Sequence, residues 1–355
     1  MSEDVRERAR KRLSEAHEFG RTPEGLAAAE DAARLADAAE DAELAFDARD
    51  LLLDLAVFGG FKDRLLVAFA WCLAHADKKA EEDPDGYVPT MMLWKYKWII
   101  PALASFPQIS RQQIFSALDD FQKRCRAANY NDRAVLLLRI RLGITMGDLA
   151  AAREAHAQWE QTTRDFISDC EACELSVISE LHGRLGEHQH ALEIAGPILT
   201  GRMKCAEVPH TTYADLLETY WKLGRRDDAE ATHRRGYRMI RSNREFITEH
   251  GWHIEHLIRS GNLERAAELV RRHLPWAMET ADMDDRFMFF RSTRSFVRAL
   301  LGQGRKNLRF KLPAPHGTLS PQQLHDWLEP QLADLARQFD TRNGNSKYAT
   351  LCQQQ

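Results

Sequence analysis

Four residues near the middle of this 355-residue chain have the types and spacing of a closed zinc set. Cys170 and Cys173 form a C-x2-C pair. After thirty-one intervening residues Cys205 opens a C-x4-H pair that ends at His210. Three thiolates and one imidazole satisfy tetrahedral zinc and leave no open coordination position, so such an ion is structural and not catalytic. Residues three apart share one helix face. The pair Cys170 and Cys173 is expected at a helix start, behind an N-cap at Asp169, where the positive end of the helix dipole favours thiolates. The loop TGRMKCAEVPH then carries Cys205 and His210 to the next helix at Thr211. Two other readings stand beside zinc. The cysteines can be small buried hydrophobes, or Cys170 and Cys173 can be a redox pair, although that motif usually needs a βαβ setting.

Other chemistry-bearing residues are less specific. His250, His253 and His256 form H-x-x-H-x-x-H on a helix, but no carboxylate or cysteine pattern completes a metal set, so a partly exposed helix face is expected. Arg291, Arg294 and Arg298 share one face of another helix, and Arg238 lies in a second basic stretch with Arg234, Arg235 and Arg241. These arginines are candidates for gripping acidic side chains or a phosphate on a partner. Their neighbours Phe287, Phe289, Phe290 and Phe296 would suit single-stranded nucleic acid. The absence of a nucleic-acid motif and a net charge of −4 argue against it, and the phenylalanines read as core. No G-x-S-x-G, P-loop, H-E-x-x-H or dinucleotide fingerprint occurs, so no enzyme is expected.

Helices must position all of these groups. Ala, Leu, Glu and Arg are abundant, and period-2 apolar alternation is nearly absent, so the chain is expected to be all-α. A glycine turn followed by an alanine-bearing helix recurs: MGDLAAAREAH at Gly147, LGEHQHALEIA at Gly186, LGRRDDAEATH at Gly224 and SGNLERAAELV at Gly261. The glycines are 39, 38 and 37 residues apart, and an alanine follows each by five residues: Ala152, Ala191, Ala229 and Ala266. Glycine tolerates the left-handed turn that ends the first helix. Alanine lets the returning helix approach closely. This pattern resembles the tetratricopeptide repeat, though its unit is longer than that family's, which is about 34 residues. The resemblance implies a right-handed α-α superhelix of helical hairpins, with first helices lining a concave face that binds a protein or peptide.

Degenerate copies extend this reading over residues 1–130, with Gly25 where the alanine would stand in FGRTPEGLAAAEDAA. The clearer repeats fill 131–303. Residues 304–319 read as a linker, 320–341 as a C-terminal capping helix opened by Ser320 and Pro321, and 342–355 as a frayed tail. Asp77 to Pro89 reads as a loop. In MMLWKYKWII, Trp94 and Trp98 are expected in the core.

The N-terminus has no apolar signal region, and the longest apolar run, Leu65 to Ala76, is too short to span a bilayer. Six cysteines without an export signal read as reduced thiols, so a cytoplasmic protein with no membrane partner is expected. Charge is uneven, with a net of −9 over residues 1–85 and +7 over 201–311. That polarity reads first as solvated helix faces and second as a device for steering an anionic partner. The expected function is a non-catalytic protein- or peptide-binding scaffold with structural zinc. The alternatives are a peptide-sensing regulator of tetratricopeptide type, and an enzyme whose site lies between helices.

Overall fold

Side-chain caps begin several helices. Thr22, Asp41, Asp148, Asn262, Asp282 and Ser320 each accept a backbone N–H from the first turn of the helix that follows, which satisfies donors that have no partner inside the helix. The computed structural model describes residues 2–83, 90–205 and 207–353. The chain forms two units, residues 1–102 with 123–130, and residues 103–122 with 131–355.

The first unit is built on α1 (Ser2–Phe19), α2 (Pro23–Ala38), α3 (Ala42–Gly59) and α4 (Leu65–Glu82), while α5 (Thr90–Ala104) and α6 (Arg111–Ala127) contribute to both units. Helix α2 is close-packed through Ala28, Ala29, Ala32 and Ala36, all fully buried. Gly25 has a steric reason: a Cβ there would stand 2.0 Å from the Gly20 carbonyl oxygen. The Asp77 to Pro89 loop is corrected in part. Residues 77–82 continue α4, and 84–89 lie outside the described residues. The Asp77 carboxylate also takes both Nη groups of Arg124, at 2.5 and 2.9 Å. The tryptophan expectation is corrected too. Trp94 and Trp98 are half-buried, and Lys95 and Lys97 between them are buried. Lys95 reaches the carboxylates of Asp50 and Asp54 at 3.1 and 2.5 Å, which is how a buried ammonium is tolerated.

The second unit stacks helical hairpins: α7 (Arg133–Met146) with α8 (Leu149–Trp159), α9 (Glu171–Arg184) with α10 (His188–Leu199), α11 (His210–Lys222) with α12 (Arg226–Ile240), and α13 (Ile247–Arg259) with α14 (Leu263–Glu279). Helices α15 (Met283–Gly302), α16 (Pro321–Asn343) and α17 (Lys347–Gln353) follow. Gly147, Gly186, Gly224 and Gly261 turn the hairpins at φ between +71° and +82°. Ala152, Ala191, Ala229 and Ala266 are fully buried where the returning helices approach. The chain is thus an all-α repeat fold. Within this unit the first helices α7, α9, α11, α13 and α15 touch in succession.

Two departures lie near the C-terminus. The expected linker holds a two-residue antiparallel ribbon, Phe310–Lys311 against Thr318–Leu319, too short for alternation to reveal. It buries Phe310 edge-on to Phe296. Within the described residues, the expected frayed tail holds the end of α16 and the helix α17, Lys347–Gln353. Gly344 reverses the chain at φ +73°, and the Asp340 carboxylate accepts the N–H groups of Tyr348 and Ala349 at 2.8 and 2.9 Å. Tyr348 is fully buried, stacked on Phe339 and edge-on to Phe287. A single aromatic in a polar run carries no periodic signal, so sequence reasoning missed this anchor.

Candidate metal centre and inner cavity

Cys170 itself is the N-cap of α9, one residue beyond the expected Asp169, and its Sγ accepts the N–H of Cys173 at 3.4 Å. In the loop after α10, Cys205 Sγ accepts the N–H of Val208 at 3.4 Å, while the Cys205 N–H donates to the Val208 carbonyl at 2.8 Å. Backbone N–H groups aimed at sulfur stabilise a thiolate. Cys173 Sγ lies 3.2 Å from Cys205 Sγ, and the three sulfurs all lie within 4.8 Å of one another. Tetrahedral zinc with Zn–S near 2.3 Å places its sulfurs about 3.8 Å apart, within this range. Ala172, Ile198 and Val208 form the apolar floor, and Met203 packs beside them. Burial pushes the Cys173 thiol well above its ordinary range and raises Cys170 in the same direction. A divalent cation held there would supply the opposite charge that offsets the burial of thiolates.

His210 does not join this group. It opens α11 and stacks on Phe246, with ring centroids 5.6 Å apart, and its Nδ1 is buried without a hydrogen bond. The C-x4-H spacing placed it in the right loop, but the first turn of α11 carries its ring toward the next repeat. The site is therefore three sulfurs with Cys170 exposed. A buried ion pair holds the chain leading into it. Arg133 donates to both oxygens of Glu174 at 3.0 and 2.9 Å, and Arg164 pairs with the same carboxylate while donating to the Asp169 carbonyl at 2.6 Å.

The first helices of the second unit line a cavity of about 1160 Å³, to which residues of the 345–351 segment also contribute. Glu180, Arg184, Asp215, Glu249, Arg291 and Lys347 are among the charged groups lining it. Burial, reinforced by Glu180, holds the Asp215 carboxyl well above the usual range; Arg184 opposes this from 3.9 Å and Glu249 adds to it. Burial lowers the Lys347 ammonium, and Asp284 partly restores it. Lys347 Nζ donates to the carbonyls of Ile144 and Thr145 at 3.2 and 2.6 Å.

The candidate arginines separate. Arg291 and Arg298 line the cavity, and Arg291 lies 3.8 Å from Glu255. Arg294 is corrected to a structural role. It is buried, donating to the Cys352 carbonyl at 2.7 Å and to Glu329 at 3.4 Å. Arg238 is exposed on α12, a second helix, and is not among the cavity-lining residues. The four phenylalanines near these arginines are buried, as expected of core.

No protein-family model matches the chain, and no curated protein matches it. One similar solved structure is a circular tandem repeat protein with novel repeat topology and enhanced subunit contact surfaces; it covers 93% of this chain and 74% of its own length at 13% identity, with a TM-score of 0.20. Agreement that low carries no argument about fold or function. Among the described residues, no helix is long and apolar enough to cross a membrane.

The histidine expectation is overturned. His250, His253 and His256 are buried, because α13 is flanked by α11, α12, α14 and α15. They pack with His233, His273 and Tyr237 in one cluster of rings. His233 and His253 face each other through their Nδ1 atoms at 3.0 Å, and His273 Nε2 pairs with the Tyr237 hydroxyl at 3.0 Å. His256 accepts from Trp221 Nε1 at 3.1 Å and pairs with Glu230 at 3.0 Å. His250 stacks on His273, centroids 3.8 Å apart, with its Nε2 on the Asn243 carbonyl at 3.2 Å. Burial pushes His233 down to about 4, His250 to about 3 and His273 to about 2, and holds His253 well below its ordinary value.

The sequence reasoning also missed the cavity carboxylates. A signal existed: Glu180, Asp215, Glu249 and Asp284 recur at spacings of 35, 34 and 35 residues, close to the repeat length.

Proposed function

We propose that the chain is a non-catalytic scaffold of tetratricopeptide-like hairpins that binds an extended protein or peptide segment in the cavity of its second unit. The observation that carries this reading is the cavity itself, lined by successive first helices and furnished with charges of both signs. Repeated hairpins present such a surface as a stack of equivalent positions, and charges of both signs fix the direction of a bound segment. Arg291 and Arg298 are the basic contacts. The test is selection of peptides from a displayed library on the purified protein, repeated with Arg298→Glu. Retained capture of the same sequences at the same strength would sink the reading.

In the same reading, zinc at Cys170, Cys173 and Cys205 serves the fold by joining two chain segments, with its fourth position left to water because His210 stays outside the group. It ties the start of α9 to the loop before α11 and so fixes two neighbouring hairpins. Purified protein should carry about one equivalent. Metal-free protein whose melting does not respond to added zinc would retire this part.

Catalysis is the second reading. Asp215, with its raised proton affinity, and Lys347, with its lowered one, line one cavity, and groups shifted in this way cluster at active sites.

A further inference from the structure

We propose that the cavity reads a lysine or arginine side chain of its peptide at Asp215, with Glu180 alongside. This rests on the peptide-binding reading above and names the chemistry of the ligand.

Glu180, Asp215, Glu249 and Asp284 stand on α9, α11, α13 and α15, one hairpin apart, and packed helices lie about 8–10 Å from each other. The chain itself fills one end of this series. The Lys347 side chain crosses Gly147 so closely that a Cβ there would stand 2.8 Å from Lys347 Cβ. Its ammonium lies on the α7 carbonyls within the field of Asp284 and Glu180. Beside it, the Tyr348 hydroxyl donates to Asp284 Oδ1 at 2.6 Å. That end of the cavity thus already holds a cationic side chain.

Among the described residues, Asp215 has no equivalent donor. Its side chain is 11% exposed, and its Oδ1 is buried without a hydrogen bond. The neighbouring cation, Arg184, is 3.9 Å away and already engages Glu180 at 3.1 Å. A buried carboxylate oxygen without a donor is costly, and an incoming charged N–H group removes that cost. The cavity is larger than the roughly 300–1,000 Å³ of small-molecule sites, which favours a peptide over a free amine. Trp252 supplies an apolar wall for the aliphatic stem of the incoming side chain, with the Arg184 guanidinium 5.2 Å from its ring.

The experiment uses a random hexapeptide library displayed on phage, panned against the full chain and against Asp215→Asn. Asparagine keeps the size and removes the charge. Peptides selected on the unmodified protein should carry Lys or Arg at one fixed position. For one such peptide, replacing that residue by Met and introducing Asp215→Asn should each weaken binding roughly tenfold or more, and together no more than either alone. Glu180→Gln serves as the second variant should Asp215→Asn unfold, and should give the same coupling in a weaker form. Selection without a basic position, or a basic preference unchanged by the variants, overturns the inference and leaves the peptide reading standing. Failure to select any peptide overturns both.

Discussion

Lowering the pH from 7 to 5 should unlock the packing between α12, α13 and α14. A histidine in an unfolded chain titrates near 6.5, whereas His233, His250 and His273 hold out to about 4, 3 and 2 in the fold. Because the folded values are depressed, the unfolded chain binds more protons throughout the intervening window. Stability is therefore complete above about pH 6.5 and falls with acidity. At pH 5 each of the three groups costs about 2 kcal/mol relative to neutral pH, or about 6 kcal/mol together. That is comparable with the whole stability of an ordinary domain, about 5–15 kcal/mol. The cause is geometric, since all three rings are at most 5% exposed and a proton added to any of them creates a buried charge. Glu230 helps only His256 and His233, while Arg272 further disfavours protonated His250 and His273. The assay is urea unfolding followed by tryptophan fluorescence at half-unit steps from pH 7 to 5, where most carboxylates remain ionised. Trp276, 4.9 Å from the His273 ring, reports locally. Replacing His250 by Gln should remove about one proton from the pH slope. Unfolding midpoints that stay level from pH 7 to 5, or His233, His250 and His273 resonances of the folded protein titrating near 6.5, would refute the reasoning.

Further outcomes are expected elsewhere. Cys173→Ser should release bound zinc and lower the melting temperature of the zinc-loaded protein, measured by metal analysis and calorimetry. Glu174→Ala strands the buried Arg133 guanidinium and should cost about 3–5 kcal/mol in denaturant unfolding. Ala191→Leu inserts bulk where the residue is fully buried between α9 and α10, and should cost about 1–3 kcal/mol by the same measurement. Tyr348→Ala removes a fully buried ring and should cost about 3–5 kcal/mol, with faster amide exchange in α17 as the local readout.

The hairpins were legible because each needs two small residues at a fixed offset, and the Gly147, Gly186, Gly224 and Gly261 series supplied them. Helix α10, His188–Leu199, follows the Gly186 turn directly and carries Ala191 on its buried side. The cysteines were legible because a pair three apart fixes a shared face whatever surrounds it. His210 was not, because one helical turn decides where a ring points and the sequence does not encode which way the first turn of α11 faces. The histidine cluster was misjudged for a related reason. Polar residues at helical spacing read as a wet face, and only the neighbours on α12 and α14 convert that face into an interior. Arg294 likewise looked equivalent to Arg291 and Arg298, and its burial follows from α16 and α17, which are distant in sequence. The cavity depends on all five first helices at once, so no local window contains it.

The C-terminal segment does more than line part of a cavity. Asn345 donates to the Met146 carbonyl at 2.8 Å and Lys347 to the carbonyls beside it, while Arg294 of the last inner helix holds the Cys352 carbonyl. The first and last members of the series are thus riveted together across some two hundred residues of chain. An open array can gain or lose a unit and frays from its ends, but here the count of hairpins is locked. Inserting or deleting one would tear Lys347 from its carbonyls, and melting of the second unit should be a single event in which no hairpin leaves before the others.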